Sequence, residues 1–95
     1  MALRIVTYDL IKEKSKDGYE GVWKVIKAGG VNTWRQLSES SYAMDTTQTP
    51  RQIYEKLKPY LDDNDHVYIL TLSSPWFGQH SEETNNWMLA RLPLG

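Results

Sequence analysis

The order in which strand-like and helix-like segments follow one another constrains this 95-residue chain more than any other feature. Residues 3–9 (LRIVTYD) are mostly β-branched, aliphatic or aromatic and predict a strand buried on most of both faces. Residues 17–30 predict a helix with Asp17 as N-cap and a glycine pair at its end. Its apolar stripe consists of Tyr19, Val22, Trp23 and Ile26. Residues 33–38 and 41–45 then predict two short strands joined by a turn.

The second half of the chain carries the clearest helix-start signal. Thr49 is the expected N-cap, Pro50 occupies the first helical position, and Gln52 completes a capping box. Pro59 should kink or end this helix, because proline lacks the amide that the helix needs. The last predicted strand is 66–72 (HVYILTL), which we expect in the core, so that a charge at Leu70 would unfold the domain.

This order of elements, βαββαβ, favours a ferredoxin-like α+β sandwich built from a split βαβ unit. The expected architecture is a four-stranded antiparallel sheet with two helices on one face, formed by residues 1–75. Residues 76–95 are expected to be a C-terminal tail that packs on the sheet or on a second protomer. Its aromatic residues Trp76, Phe77 and Trp87 are the candidate interface residues, because tryptophan and phenylalanine are enriched at interfaces.

Composition narrows the classes of function without selecting one. The 11 basic and 12 acidic residues give a net charge of −1, which lacks the basic excess usual for proteins that neutralise nucleic-acid phosphates. The chain has no cysteine, which excludes disulfides, thiolate metal sites and cysteine nucleophiles. Its apolar runs are far shorter than the ~20 residues of a membrane span, and no leader pattern is visible, so we expect a soluble, cytoplasmic protein without membrane association.

Several segments together resemble a group of small bacterial proteins. The first strand ends in Tyr8-Asp9-Leu10, residues 49–53 begin a helix, and residues 57–65 form a Leu-Lys-Pro-x-Leu-Asp-x-x-Asp turn. These features are similar to those of SinR-like and VapD-like proteins, which share the fold of the small CRISPR-associated nuclease-like subunit of the spacer-integration complex. Residues 34–38 (WRQLS) resemble the Arg-x-Gln-x-Ser segment of that subunit, although Arg35 and Gln36 are adjacent here.

The resemblance implies a role for Asp9, which stands where a strand ends. In that group the corresponding aspartates of two protomers face each other and can hold a divalent metal, for which Mg²⁺ is the expected ion. A metal held in this way would activate water against a phosphodiester, making Asp9 the catalytic and metal-binding residue. The alternative interpretation is that Asp9 only ends the strand and begins the following loop.

Basic residues supply the candidate contacts to nucleic acid. Arg35 has uncharged neighbours, which favours a phosphate-binding role. Lys12, Lys14 and Lys16 could form a basic edge, but acidic residues lie among them and a solvated loop is the alternative. Two hypotheses for function result. One is a homodimeric Mg²⁺-dependent enzyme that binds or cleaves RNA or DNA, and the other is a non-catalytic dimeric interaction or scaffold module with a protein partner.

Overall fold

The computed structural model describes residues 2–10 and 16–95, and for residues 16 and 17 it describes only the backbone. The elements in chain order are β1 (Ala2–Asp9), α1 (Lys16–Lys27), β2 (Trp34–Ser38), β3 (Ser41–Thr46), α2 (Pro50–Leu57), a 3₁₀ turn (Lys58–Tyr60), β4 (His66–Leu72) and α3 (Glu82–Leu89). No helix in this described part is long and apolar enough to cross a membrane.

The four strands form one antiparallel sheet in the order β2-β3-β1-β4. β1 is central, as its apolar sequence predicts, and β3 lies between the parallel strands β1 and β2. This is the split βαβ arrangement, so the predicted ferredoxin-like α+β fold is confirmed. α1 begins at Lys16, one residue before the N-cap predicted at Asp17.

The main core lies between the sheet and the two predicted helices. α1 and α2 both pack on the same face, since one cluster of buried residues joins them to β1 and β3. Its members from the strands are Val6, Tyr8, Tyr42 and Met44, and those from the helices are Val22, Ile26, Ile53 and Leu57. Val22 and Ile26 of the apolar stripe predicted for α1 therefore face the sheet, as an amphipathic helix requires.

The start of α2 agrees with its sequence signal in full. The Thr49 side chain accepts a hydrogen bond from the Gln52 amide, and the Gln52 side chain accepts one from the Thr49 amide. Pro50 occupies the first turn, and Pro59 lies in the 3₁₀ turn that ends the helix. Two otherwise unpaired amides are thus satisfied at the helix entrance.

The opposite face of the sheet is partly covered by the C-terminal segment. Trp87 and Met88 of α3, a helix that the sequence did not predict, are buried against Leu3 and Ala43 of the sheet. The cover does not reach all of β4. Tyr68 is 72% exposed, and the prediction that Leu70 is a core residue is wrong, because this side chain is 52% exposed.

Candidate functional site

Asp9 is the last residue of β1, and its side chain is exposed. It pairs with His66 at the beginning of β4, at the end of the sheet where the β2–β3 turn also lies. Two clefts meet at this position. One of about 430 Å³ extends towards Tyr19 and Trp23, and one of about 290 Å³ extends towards His66.

The surroundings of Asp9 bear on the predicted metal site. Mg²⁺ prefers oxygen ligands and keeps several waters, so one or two carboxylates suffice to hold it. Glu39 and Ser40 line the larger cleft together with Asp9. Among the side chains that the structure describes, those of residues 2–10 and 18–95, no group of three or more histidines, aspartates or glutamates is arranged to hold a metal ion. Within one protomer the described carboxylates of this cleft are thus Asp9 and Glu39, and the Mg²⁺ site shared between two protomers stays a prediction.

Arg35 lies on β2, and its guanidinium is engaged with α3. Its Nη1 atom is 2.8 Å from a carboxylate oxygen of Glu83, and its Nη2 donates to the Thr84 hydroxyl at 3.2 Å. The Glu83 side chain is 79% exposed, so this ion pair lies at the surface, and the phosphate-binding role of Arg35 stays a prediction. Lys12 and Lys14 lie outside the described residues, as does the side chain of Lys16, so the structure does not place this predicted basic edge.

The three candidate interface residues occupy different environments. Trp87 is buried against the sheet of its own chain, and its indole Nε1 donates to the Asn32 carbonyl at 2.9 Å. Trp76 is half-buried and its indole donates to the backbone carbonyl of Pro93. Phe77 is 90% exposed and contributes an apolar ring to the surface. Of the three, Phe77 has by far the most surface available to a second molecule.

An aromatic cluster beside Asp9 was not predicted as a site. Tyr8 and Trp23 are joined by a hydrogen bond of 2.9 Å from the indole Nε1 to the phenol oxygen. The Tyr8 ring stacks on Tyr42, and Tyr19 packs against Trp23. Burial raises the pKa of the Tyr8 hydroxyl above its usual value of 10.0, although the bond from Trp23 acts in the opposite direction. The spacing of Tyr19 and Trp23 on α1 indicates a common face but not the polar atoms that meet there.

The outer edge of β4 is the other surface feature. β4 is an edge strand, its ladder with β1 runs without a shift in register, and residues 67–72 carry no charge. Tyr68 and Leu70 expose apolar surface beside this edge. Edge strands of this kind offer unpaired backbone groups to another strand.

The chain has no significant match among protein families, curated proteins or solved structures.

Proposed function

We propose that this chain is a homodimeric interaction module in which two copies pair along the outer edge of β4. The observation that carries the proposal is the long, uncharged edge strand with exposed apolar side chains beside it. Natural proteins usually protect such edges with charges, proline, bulges or a covering segment. Residues 67–72 contain no charge and no proline, and their pairing with β1 contains no bulge.

The other edge strand of the sheet, β2, is protected against pairing with another strand. β2 is only five residues long, contains Arg35, and has an irregular register with β3 between Gln36 and Ser38. In addition, Nε2 of His80 donates to the Leu37 carbonyl at 2.9 Å, so the C-terminal segment uses one of the backbone acceptors of this strand. Because β2 has these protective features and residues 67–72 of β4 do not, β4 is the better candidate for the edge that pairs with another strand.

A second copy of the chain is the partner that fits this edge best. An antiparallel pair of β4 strands about a two-fold axis uses the same surface from each protomer, as symmetric dimers do. With the axis near Ile69, Tyr68 of each strand would lie opposite Leu70 of the other, which buries the two exposed side chains together. The uncharged sequence of β4 introduces no like-charge repulsion into such a pair.

The mass of the particle in solution tests this proposal. Light scattering should give twice the chain mass of 11.0 kDa at micromolar concentration. Hydrogen exchange should show that the amides of β4 become more slowly exchanging as the protein concentration rises. A particle of one chain mass at every concentration would contradict the proposal.

A second candidate function rests on the exposed carboxylate of Asp9 between its two clefts. In that case two protomers would bring their Asp9 residues together around Mg²⁺, as the resemblance to the SinR-like and VapD-like group implies. The ion would activate water for cleavage of RNA or DNA. This candidate requires a dimer different from the β4 pair, and divalent-cation dependence of melting and of phosphodiester cleavage would support it.

A further inference from the structure

The cleft of about 430 Å³ beside β1 has the size of a small-molecule site. It lies where the end of β1 meets α1 and the turn between β2 and β3. The residues that line it are Tyr8, Asp9, Leu10, Tyr19, Trp23, Glu39 and Ser40. Among these described lining residues three are aromatic and two are carboxylates, and none is a lysine or arginine. Aromatic faces together with negative charge favour a cationic ligand.

Tyr8 adds a hydroxyl group whose hydrogen has no acceptor among the residues that the structure describes. Its side chain is 5% exposed, and its oxygen accepts the Trp23 indole hydrogen at 2.9 Å. Because an indole nitrogen is only a donor, the hydroxyl hydrogen of Tyr8 must go elsewhere, and it finds no acceptor among the residues that the structure describes. Burial raises the pKa of this hydroxyl, so it keeps its hydrogen at neutral pH. A buried donor without an acceptor is costly, and a ligand acceptor would satisfy it.

The same aromatic cluster already holds a cation outside the cleft. The ammonium of Lys27 lies 5.7 Å from the centre of the Trp23 ring and 4.6 Å from that of Trp34. Tyr19 and Lys27 are each one helical turn from Trp23, in opposite directions along α1. Lys27 is not among the residues that line the cleft, so the aromatic surface on the Tyr19 side lacks such a cation from the described residues.

We propose that this cleft binds a small organic cation that carries a hydrogen-bond acceptor, of which choline is the simplest example. The ammonium group would lie against Trp23 and Tyr19, within the negative field of Asp9 and Glu39. The acceptor would take the free hydrogen of Tyr8. This inference is independent of the β4 pair, which uses the outer edge of another strand.

Calorimetric titration with choline chloride tests the inference, with 3,3-dimethylbutan-1-ol as the neutral compound of the same shape. Choline should bind saturably and about tenfold or more tightly than the neutral compound, because only the charged group gains from the aromatic faces and carboxylates. The Trp23 indole N–H resonance should shift on binding. Glu39→Gln should weaken choline binding several-fold, while Glu55→Gln, at an exposed position on α2 that does not line the cleft, should leave it unchanged.

Equal binding of the two compounds, or no binding of choline, would overturn the proposal. Tyr8→Phe removes the hydroxyl, and unchanged choline affinity in a folded Tyr8→Phe variant would contradict the role of that hydrogen. Glu39 lies in an exposed turn, so its variant remains informative if Tyr8→Phe does not fold. MgCl₂ should displace choline no better than NaCl of the same ionic strength. Displacement of choline by MgCl₂ beyond the effect of ionic strength would instead indicate that Asp9 binds a metal ion.

Discussion

The guanidinium of Arg91 and the carboxylate of Asp45 are joined by a contact of 2.8 Å between Nε and Oδ2. Arg91 follows α3 and Asp45 lies on β3, so this pair attaches the C-terminal segment to the sheet. The same guanidinium donates to the carbonyls of Trp87 and Asn32 and lies 4.1 Å from the centre of the Trp87 ring. One side chain thus attaches the C-terminal segment that partly covers this face of the sheet.

Arg91→Ala should lower the free energy of unfolding by about 2 kcal/mol, because the nearly buried Asp45 carboxylate loses its cation and several hydrogen bonds to a charged group disappear. Urea unfolding monitored by circular dichroism measures this change. Arg51→Ala, at an exposed position on α2, is the control and should change stability by less than about 0.5 kcal/mol. Equal stabilities of the two variants would show that Arg91 does not hold the segment.

The parts of the fold that could be predicted from sequence are those specified by local signals. The capping box of α2 requires only Thr49, Pro50 and Gln52, and the resulting helix starts where the pattern indicates. Strand and helix order then leave few topologies open, which is why the ferredoxin-like sheet was predicted. α3 has a local signal too, since the Ser81 side chain accepts from the Thr84 amide and acidic residues fill the first turn. Its apolar stripe is short, so periodicity alone did not reveal it.

The parts that could not be predicted depend on contacts between distant residues. Leu70 belongs to an apolar strand that resembles a buried one, but its exposure is decided by how far the C-terminal segment extends over the sheet. Arg35 has uncharged neighbours in sequence, yet Glu83 reaches it from α3. The Tyr8 hydroxyl meets the Trp23 indole only once α1 is placed on the sheet. None of these contacts can be predicted from the sequence pattern of a single strand or helix.

Leu70→Lys should convert the proposed dimer into a monomer, because it puts two like charges close to the two-fold axis of the β4 pair. The stability of the monomer should change by no more than about 1 kcal/mol, since Leu70 is half exposed. Light scattering measures the mass and thermal melting checks the fold. The matched control is Val31→Lys, which places the same charge on an exposed apolar residue before β2 and should leave the dimer intact. If both variants dissociate the dimer, the interface does not consist of the β4 edge.

Gly21→Ala should destabilise the protein, although alanine normally favours a helix over glycine by about 1 kcal/mol. A Cβ atom at Gly21 would lie 2.1 Å from the Tyr60 ring, so the ring or α1 must move at a cost of about 1–3 kcal/mol. In a Tyr60→Ala background the same change should become stabilising, because the obstacle is gone. Urea unfolding of the four proteins in this cycle measures the coupling. The same sign in both backgrounds would mean that Tyr60 does not limit the space at Gly21.

Stability should fall as the pH rises above about 10. Burial raises the pKa values of Tyr8 and Tyr42 in the folded state, so the unfolded chain releases these protons first and is favoured at alkaline pH. Urea unfolding at several values between about pH 8 and about pH 11 measures the slope. Tyr8→Phe should make the slope shallower, whereas Tyr54→Phe, at an exposed position, should not. An unchanged slope in Tyr8→Phe would indicate that Tyr8 ionises equally easily in both states.

The β4 pair and a metal shared by two Asp9 residues exclude each other, and this gives the last prediction. Asp9 lies opposite His66, three residues from Ile69 at the centre of β4, and β1 is one strand inside the edge. With ~3.3 Å per residue and ~4.8 Å between strands, the two Asp9 Cα atoms of a β4 pair are about 25 Å apart. Mg²⁺ holds its ligands at about 2.1 Å, so one ion cannot bridge them.

The dimer proposed here therefore predicts that MgCl₂ changes the melting temperature of the wild type and of Asp9→Asn equally. Differential scanning fluorimetry with MgCl₂, and with NaCl of matched ionic strength, measures both responses. If Mg²⁺ instead raises only the wild-type melting temperature, and Asp9→Asn also abolishes cleavage of RNA or DNA, two Asp9 carboxylates share the ion and the protomers meet by a surface other than β4. Leu70→Lys also distinguishes the two dimers. It should dissociate the β4 pair but leave intact a dimer in which two Asp9 residues share Mg²⁺.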